Sequence, residues 1–120
     1  GLNLPFYDRD RVELVWGLEP SAAMRSRAEP VIEASGLDVR LLDEPGEAIP
    51  LDDDSVDTVV LTYTLCSIDD WHAALAQMRR VLKPGGTVVF SEHGLAPDAA
   101  VRRWQHRLNP IWNAFAGGCN

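Results

Sequence analysis

Long apolar runs are missing from this sequence. None approaches the ~20 residues a helix needs to cross a bilayer, and no signal-peptide pattern opens the chain. Cysteine is scarce. Cys66 and Cys119 are too few and too far apart to read as a disulfide framework or a zinc site. A reducing cytoplasm is the compartment that suits so few thiols. A starting Met is missing too. The chain opens on "GLNLPFYD", with no polar lead-in and no strand before what reads as the tail of a glycine-rich turn. Bases are sparse over most of the length. Residues 1–70 hold 16 acids and 5 bases, whereas residues 71–120 hold 2 acids and 6 bases, within a net charge of −7. The acidic part disfavours a nucleic-acid backbone as the main partner. Arg102, Arg103 and Arg107 are the one place where an anionic partner could be met, and a solvated helix face is the plainer reading there.

What is present is an alternation of strands and helices. The 120 residues make one domain or most of one. "VELVWGLE" (12–19) reads as a buried strand ending near Gly17. Ser21 sits where an N-cap belongs, Ala22, Ala23 and Met24 favour helix, and Gly36 ends it. Pro30 is expected to kink or shorten that helix. "DVRLLD" (38–43) is a second strand, followed by an acidic, proline-containing loop. "VDTVVLTYTL" (56–65) is the strongest strand signal, and its continuous apolar run fits a parallel strand covered on both faces. Trp71, Ala74, Leu75, Met78 and Leu82 recur at helical spacing, with Asp69 and Asp70 before them and Arg79, Arg80 and Lys83 after, a polarity that suits the helix dipole. "KPGG" (83–86) is expected to make a tight turn before a strand at 87–92. Beyond Pro97, Val101, Trp104, Leu108, Ile111 or Trp112, and Phe115 mark another helical stripe, interrupted at Pro110. This order argues for a parallel α/β sheet with ligands at the carboxyl ends of its strands.

The candidates for chemistry cluster at those strand ends. Glu19 closes the first strand, where a carboxylate in a nucleotide-binding α/β fold accepts both ribose hydroxyl protons; a solvated acid is the alternative. Gly1 and Asn3 would belong to the preceding turn, where glycine lets backbone approach a ligand. Gly46, Glu47 and Ala48 could frame a planar base or be an ordinary acidic loop. Asp52, Asp53 and Asp54 resemble a metal cluster only superficially, since adjacent acids point in different directions, and no metal is expected. Thr62, Tyr63, Thr64, Leu65 and Cys66 form the crest of the sheet. Cys66 reads as a small buried hydrophobe. Glu92 and His93 end the next strand at the same crest, where His93 could take a proton or bond locally. His72 and His106 read as surface residues on helices.

Together "GLNLPFYD", "GLEPSAAM", "GEAIPLDDDSVDTVVLTYTL", "MRRVLKPGG" and "VVFSEHG" resemble the class I S-adenosylmethionine-dependent methyltransferases, most of all the small type 11 kind. "TLCSI", "EHGLAPD", "RRWQHRLNPIW" and "GGCN" look closer still to the branch of membrane-associated thiol methyltransferases. The resemblance implies a Rossmann-like parallel sheet with helices on both faces. It also implies incompleteness: Gly1 matches the last glycine of a Gly-x-Gly-x-Gly turn, so the central first strand and the last two strands would be absent and residues 1–120 would be a partial domain. The strands at 12–18, 38–43, 57–63 and 87–92 would stand second, third, fourth and fifth in the family's order.

S-adenosylmethionine is the cofactor so implied. Gly1 and Asn3 would line its methionine end, and Glu19 would hold the ribose. Pro20 and Met24 would pack near the adenine. Gly46 and Glu47 would meet the adenine edge, although many relatives carry an Asp where Pro45 stands. Thr62, Tyr63 and Leu65 would face the methionine portion. The family has no universal catalytic residue, which leaves His93 and Glu92 as candidates only. The implied partner is a small methyl acceptor, thiol or apolar, with no nucleic acid; peripheral membrane contact has no support in the residues. Two other readings stand beside this one. A nicotinamide-dependent oxidoreductase would also place an acid such as Glu19 on a ribose. A non-catalytic chain would use its open strand edges to self-associate, or would pair 12–18 directly with 57–63.

Overall fold

The structure, a computed structural model, describes residues 3–92, 94 and 96–115. Gly1, His93 and Cys119 lie outside the described residues, as do the side chains of Trp112 and Phe115. The chain divides into two compact units, residues 1–50 and residues 51–120. Each contains one strand–helix–strand crossover with its strands parallel.

In the first unit a short 3-10 turn, Leu4–Phe6, precedes strand β1 (Val15–Leu18), helix α1 (Ala22–Ser35) and strand β2 (Val39–Leu42). β1 begins three residues later than the apolar run suggests. The reason is Asp8, whose carbonyl accepts the Arg11 and Val12 N–H groups and whose carboxylate accepts that of Asp10, so the chain is still turning there. The β1–β2 register pairs Trp16 with Arg40 and Gly17 with Leu41. The Arg40 guanidinium lies 5.4 Å from the Trp16 ring centroid. A Cβ on Gly17 would come within 2.9 Å of the Leu41 Cδ2, which explains the glycine in a strand interior. The Ser21 hydroxyl caps α1 by accepting the Met24 N–H at 3.4 Å, and Gly36 closes it at φ 64. Pro30 neither ends nor shortens α1, which runs 14 residues through it. A proline removes one intrahelical bond, and a helix capped at both ends carries on past that loss. Leu4, Ser35 and Ile49 are the buried side chains of this unit.

In the second unit the order is β3 (Val56–Thr62), a 3-10 turn (Leu65–Ser67), α2 (Trp71–Val81), β4 (Leu82–Ser91) and α3 (Ala99–Phe115). Asp70 caps α2, its carboxylate accepting the Ala73 N–H at 2.9 Å, while Arg79 and Arg80 occupy the last turn. "KPGG" is not a tight turn. It lies inside β4, where the register shifts between the pairs Val56–Leu82 and Thr58–Thr87, and Gly85 at φ 80 supplies the left-handed backbone of the bulge. Pro110 likewise lies within α3 instead of interrupting it. The buried side chains are Leu61, Ala74, Met78 and Val81. β3 is not covered on both faces as its apolar run suggests. Val60 is 38% exposed, and on β4 Val88, Val89 and Phe90 are 45%, 51% and 70% exposed, because α2 covers only part of the ladder.

The sheets are β1–β2 and β3–β4, so the alternative in which 12–18 pairs directly with 57–63 is not found among the described residues. Each ladder satisfies one edge of each strand with its own crossover partner. No helix among the described residues is long and apolar enough to cross a membrane.

Candidate functional site

In residues 1–50 the candidates gather where β1 turns into α1. The Glu19 N–H donates to the Leu42 carbonyl at 3.0 Å and completes the ladder. Pro20 has no N–H to extend it. The chain then folds back, and the Ser21 N–H donates to the Glu19 Oε1 at 3.0 Å. Arg25, one turn into α1, donates through Nη1 to the Glu19 carbonyl at 2.7 Å and to the Pro20 carbonyl at 2.9 Å. The Glu19 backbone is thus held from both sides, and its half-buried carboxylate keeps Oε2 without a partner among the described residues. An oxygen so placed can accept two hydroxyl protons. Met24 is 48% exposed beside this corner.

The loop after β2 turns through Gly46 and Glu47, closed by the Ala48 N–H donating to the Pro45 carbonyl at 3.0 Å. Both residues are half-buried and Ile49 is buried behind them. Asn3 accepts the Phe6 N–H on its carbonyl at 3.0 Å and so starts the turn that buries Leu4. Asn3, Glu19, Pro20, Met24, Gly46 and Glu47 therefore belong to one unit, all but Asn3 lying in the segments that follow the carboxyl ends of two parallel strands.

In residues 51–120 the strands end at Thr62 and Ser91, which are the last ladder pair. The Tyr63 N–H donates to the Ser91 carbonyl at 2.9 Å, and Tyr63 itself adopts φ 52. That left-handed conformation costs a non-glycine residue about 1–2 kcal/mol. Thr64 and Leu65 follow at once, and their N–H groups meet the Glu92 carboxylate: Thr64 at 2.8 Å to Oε1 and 3.0 Å to Oε2, Leu65 at 3.3 Å to Oε1. The Ser67 hydroxyl donates to the Thr64 carbonyl at 2.7 Å and the Thr64 hydroxyl to the Thr62 carbonyl at 3.0 Å. Thr62, Tyr63, Leu65 and Glu92 are thereby brought together, with Tyr63 58% exposed. Cys66 is half-buried and its thiol points at the Tyr63 carbonyl, so it is not the fully buried hydrophobe expected.

The three adjacent acids are used structurally. Asp53 pairs with Arg80 at 2.7 Å, and Asp54, at φ 53, sends its N–H to the Arg80 carbonyl. His72 stacks on Trp71, and His72 and His106 are both exposed. A surface cavity of about 170 Å³ is lined by Ala100, Arg103, Trp104 and Arg107 on α3, and so takes in two of the three arginines singled out in the sequence.

One residue, Arg25, and the bonding role of another, Glu92, escaped the sequence reading. Arg25 carried a usable signal, an arginine one turn after a capping serine and so within reach of the strand end. The bonds of Glu92 carried none, because Thr64 lies 28 residues away in the chain.

Comparison with known proteins adds a family. A family model described as a methyltransferase domain matches residues 1–90. The chain is 41% identical over 71 residues to the thiol S-methyltransferase TMT1B of Rattus norvegicus, covering 58% of this chain and 29% of that protein. It is 34% identical over 108 residues to a demethylmenaquinone methyltransferase of Thermus thermophilus, covering 87% of this chain and 49% of that one. Among solved structures, the YcgJ protein of Bacillus subtilis superposes with a TM-score of 0.75 at 24% identity, over 86% of this chain and 44% of that one, a likeness of fold. The chain thus spans half or less of the length of these relatives.

Proposed function

The chain belongs to the methyltransferase domain family of the class I, S-adenosylmethionine-dependent kind, and on that premise we propose that it carries donor-binding elements of an enzyme that methylates a small molecule. The observation that carries this reading is the Glu19 corner. A carboxylate at the end of a parallel strand has its backbone pinned by Arg25 and its Oε1 taken by Ser21, which leaves Oε2 for a ribose. S-adenosylmethionine, when bound, supplies a methyl group already activated on a sulfonium.

The residues then have positional tasks. Glu19 accepts the ribose hydroxyl protons. Pro20 and Met24 offer apolar surface to the adenine, and Gly46 and Glu47 its polar edge. Gly1 and Asn3, with Thr62, Tyr63 and Leu65, border the methionine portion. Alignment of nucleophile, methyl and leaving sulfur is the main contribution of such a protein. A base is needed only where the acceptor arrives protonated, and His93 is the candidate for that task.

For the acceptor we propose a small thiol or apolar compound, supported by similarity to a thiol S-methyltransferase and to a demethylmenaquinone methyltransferase. Residues 1–120 are read as part of a single methyltransferase domain, and the scarcity of cysteine supports a cytoplasmic setting. Calorimetric titration of the full-length protein with S-adenosylhomocysteine and, separately, with NADH tests the donor. Heat with the first and none with the second is expected, and the reverse would make it an oxidoreductase. Transfer of a labelled methyl group to a panel of small thiols and quinols tests the acceptor.

A second reading concerns the 120-residue chain alone. The exposure of Val60, Val88, Val89 and Phe90 favours self-association through the β3–β4 ladder. Light scattering at micromolar concentration checks it, and a monomer would end that reading.

A further inference from the structure

We propose that Glu92 is a positioning residue that holds the turn after β3 in its working shape, and that it is not a proton acceptor. Its consequence for ligand binding rests on the methyltransferase reading above, because the turn it holds is the one assigned to the methionine portion.

The argument is geometric. Both carboxylate oxygens of Glu92 are engaged by backbone donors, the Thr64 N–H reaching Oε1 and Oε2 and the Leu65 N–H reaching Oε1. Taking a proton from an acceptor would discharge the carboxylate and weaken its charge-assisted hold on that turn. Immediately before the two donors stands Tyr63, a non-glycine residue at φ 52. A backbone held in that region persists only where its surroundings over-determine it. The surroundings include two hydrogen-bonded anchors from one strand end: the Ser91 carbonyl, which takes the Tyr63 N–H, and the Glu92 carboxylate, which takes the next two. Charge-assisted bonds to backbone N–H groups are the stronger kind. The Thr64 hydroxyl bonds to the Thr62 carbonyl at the end of β3 and the Ser67 hydroxyl to the Thr64 carbonyl, so these bonds stay on the β3 side and do not reach β4. Without Glu92 the Thr64 and Leu65 N–H groups lose their acceptor across the ladder, and the Thr62–Leu65 edge is held less firmly.

The experiment compares the full-length protein with its Glu92→Gln and Glu92→Ala variants in three measurements. Hydrogen exchange at the Thr64 and Leu65 amides needs no ligand. In Glu92→Ala it should speed up about tenfold, the equivalent of one lost hydrogen bond, while the Ala73 and Ala74 amides at the start of α2 stay unchanged. Glu92→Gln keeps a carbonyl oxygen as acceptor and should fall between, which preserves the test if the alanine variant does not fold. The dissociation constant of S-adenosylhomocysteine should rise about tenfold in Glu92→Ala and less in Glu92→Gln. The pH–rate profile of Glu92→Gln with a small thiol should keep the wild-type shape.

Unchanged exchange at Thr64 and Leu65 overturns the proposal. So does a Glu92→Gln variant that binds the donor normally yet loses turnover and one limb of its pH profile. If the wild type does not bind S-adenosylhomocysteine, the methyltransferase reading fails, and the exchange measurement alone decides the role of Glu92.

Discussion

Glu19 and Glu92 each follow the last residues of a strand, and the chain uses them differently. Glu19 bonds a backbone N–H two residues ahead and keeps an oxygen without a partner among the described residues. Glu92 bonds two N–H groups across the ladder, 28 and 27 residues back, and spends both oxygens on them. The backbone around Glu19 is fixed by another group, Arg25, which takes the Glu19 and Pro20 carbonyls. The difference teaches how to separate a binding carboxylate from a structural one where each follows the carboxyl end of a parallel strand. In the binding case some other side chain carries the backbone. In the structural case the carboxylate carries it.

Breaking the comparison at its binding side should have the largest effect. Glu19→Ala in the full-length protein should weaken S-adenosylhomocysteine by about 2–3 kcal/mol, the worth of two charge-assisted bonds. Calorimetry reads it, and a change below about threefold, well under one such bond, removes Glu19 from the site.

Next comes Arg80, a residue with a structural task. Arg80 donates to the Leu51 carbonyl, to Asp53 and twice to Gln77, tying the acidic loop to α2. Arg80→Ala should lower stability by about 2 kcal/mol in urea unfolding, with donor affinity per folded molecule unaltered. A large affinity loss there would mean that the acidic loop reaches the ligand.

Arg25→Met sharpens the distinction between holding and binding. It removes two bonds to carbonyls and should cost about 1 kcal/mol in donor affinity. In the Glu19→Ala background it should cost nothing further. An additive loss would show Arg25 touching the ligand itself.

The smallest effect is local and set by pH. Asp98 caps α3, accepting the Val101 and Ala100 N–H groups, and those bonds hold its carboxyl below the ordinary 3.8. A carboxyl lowered on folding contributes stability above its unfolded value, and that contribution disappears as pH falls through its folded value. The first turn of α3 should therefore fray in acid, below about pH 4. NMR signals of Ala100 and Val101 report it. In Asp98→Asn, which caps without titrating, the step should vanish.

Much of this was legible in the chain. The caps Ser21 and Gly36 were, because a cap is an interaction between neighbours of known type. So were the strand–helix alternation, its parallel pairing and Glu19 at a strand end, which periodicity and chain order express directly. Pro110 misled, for it reads locally as an interruption and α3 continues through it; Pro30, expected to kink or shorten α1, does not shorten it.

What no local rule could supply was any feature that needs two distant segments at once. The residues of "KPGG" became a bulge because β3 lies alongside to register against them. The exposure of Val88, Val89 and Phe90 depends on which elements cover them, and an apolar run says only that they could be covered. Glu92 became the holder of Thr64 and Leu65 because the ladder sets Ser91 beside Thr62. Composition and spacing record what a residue can do; its partner is settled when the chain closes and one donor comes within hydrogen-bond reach.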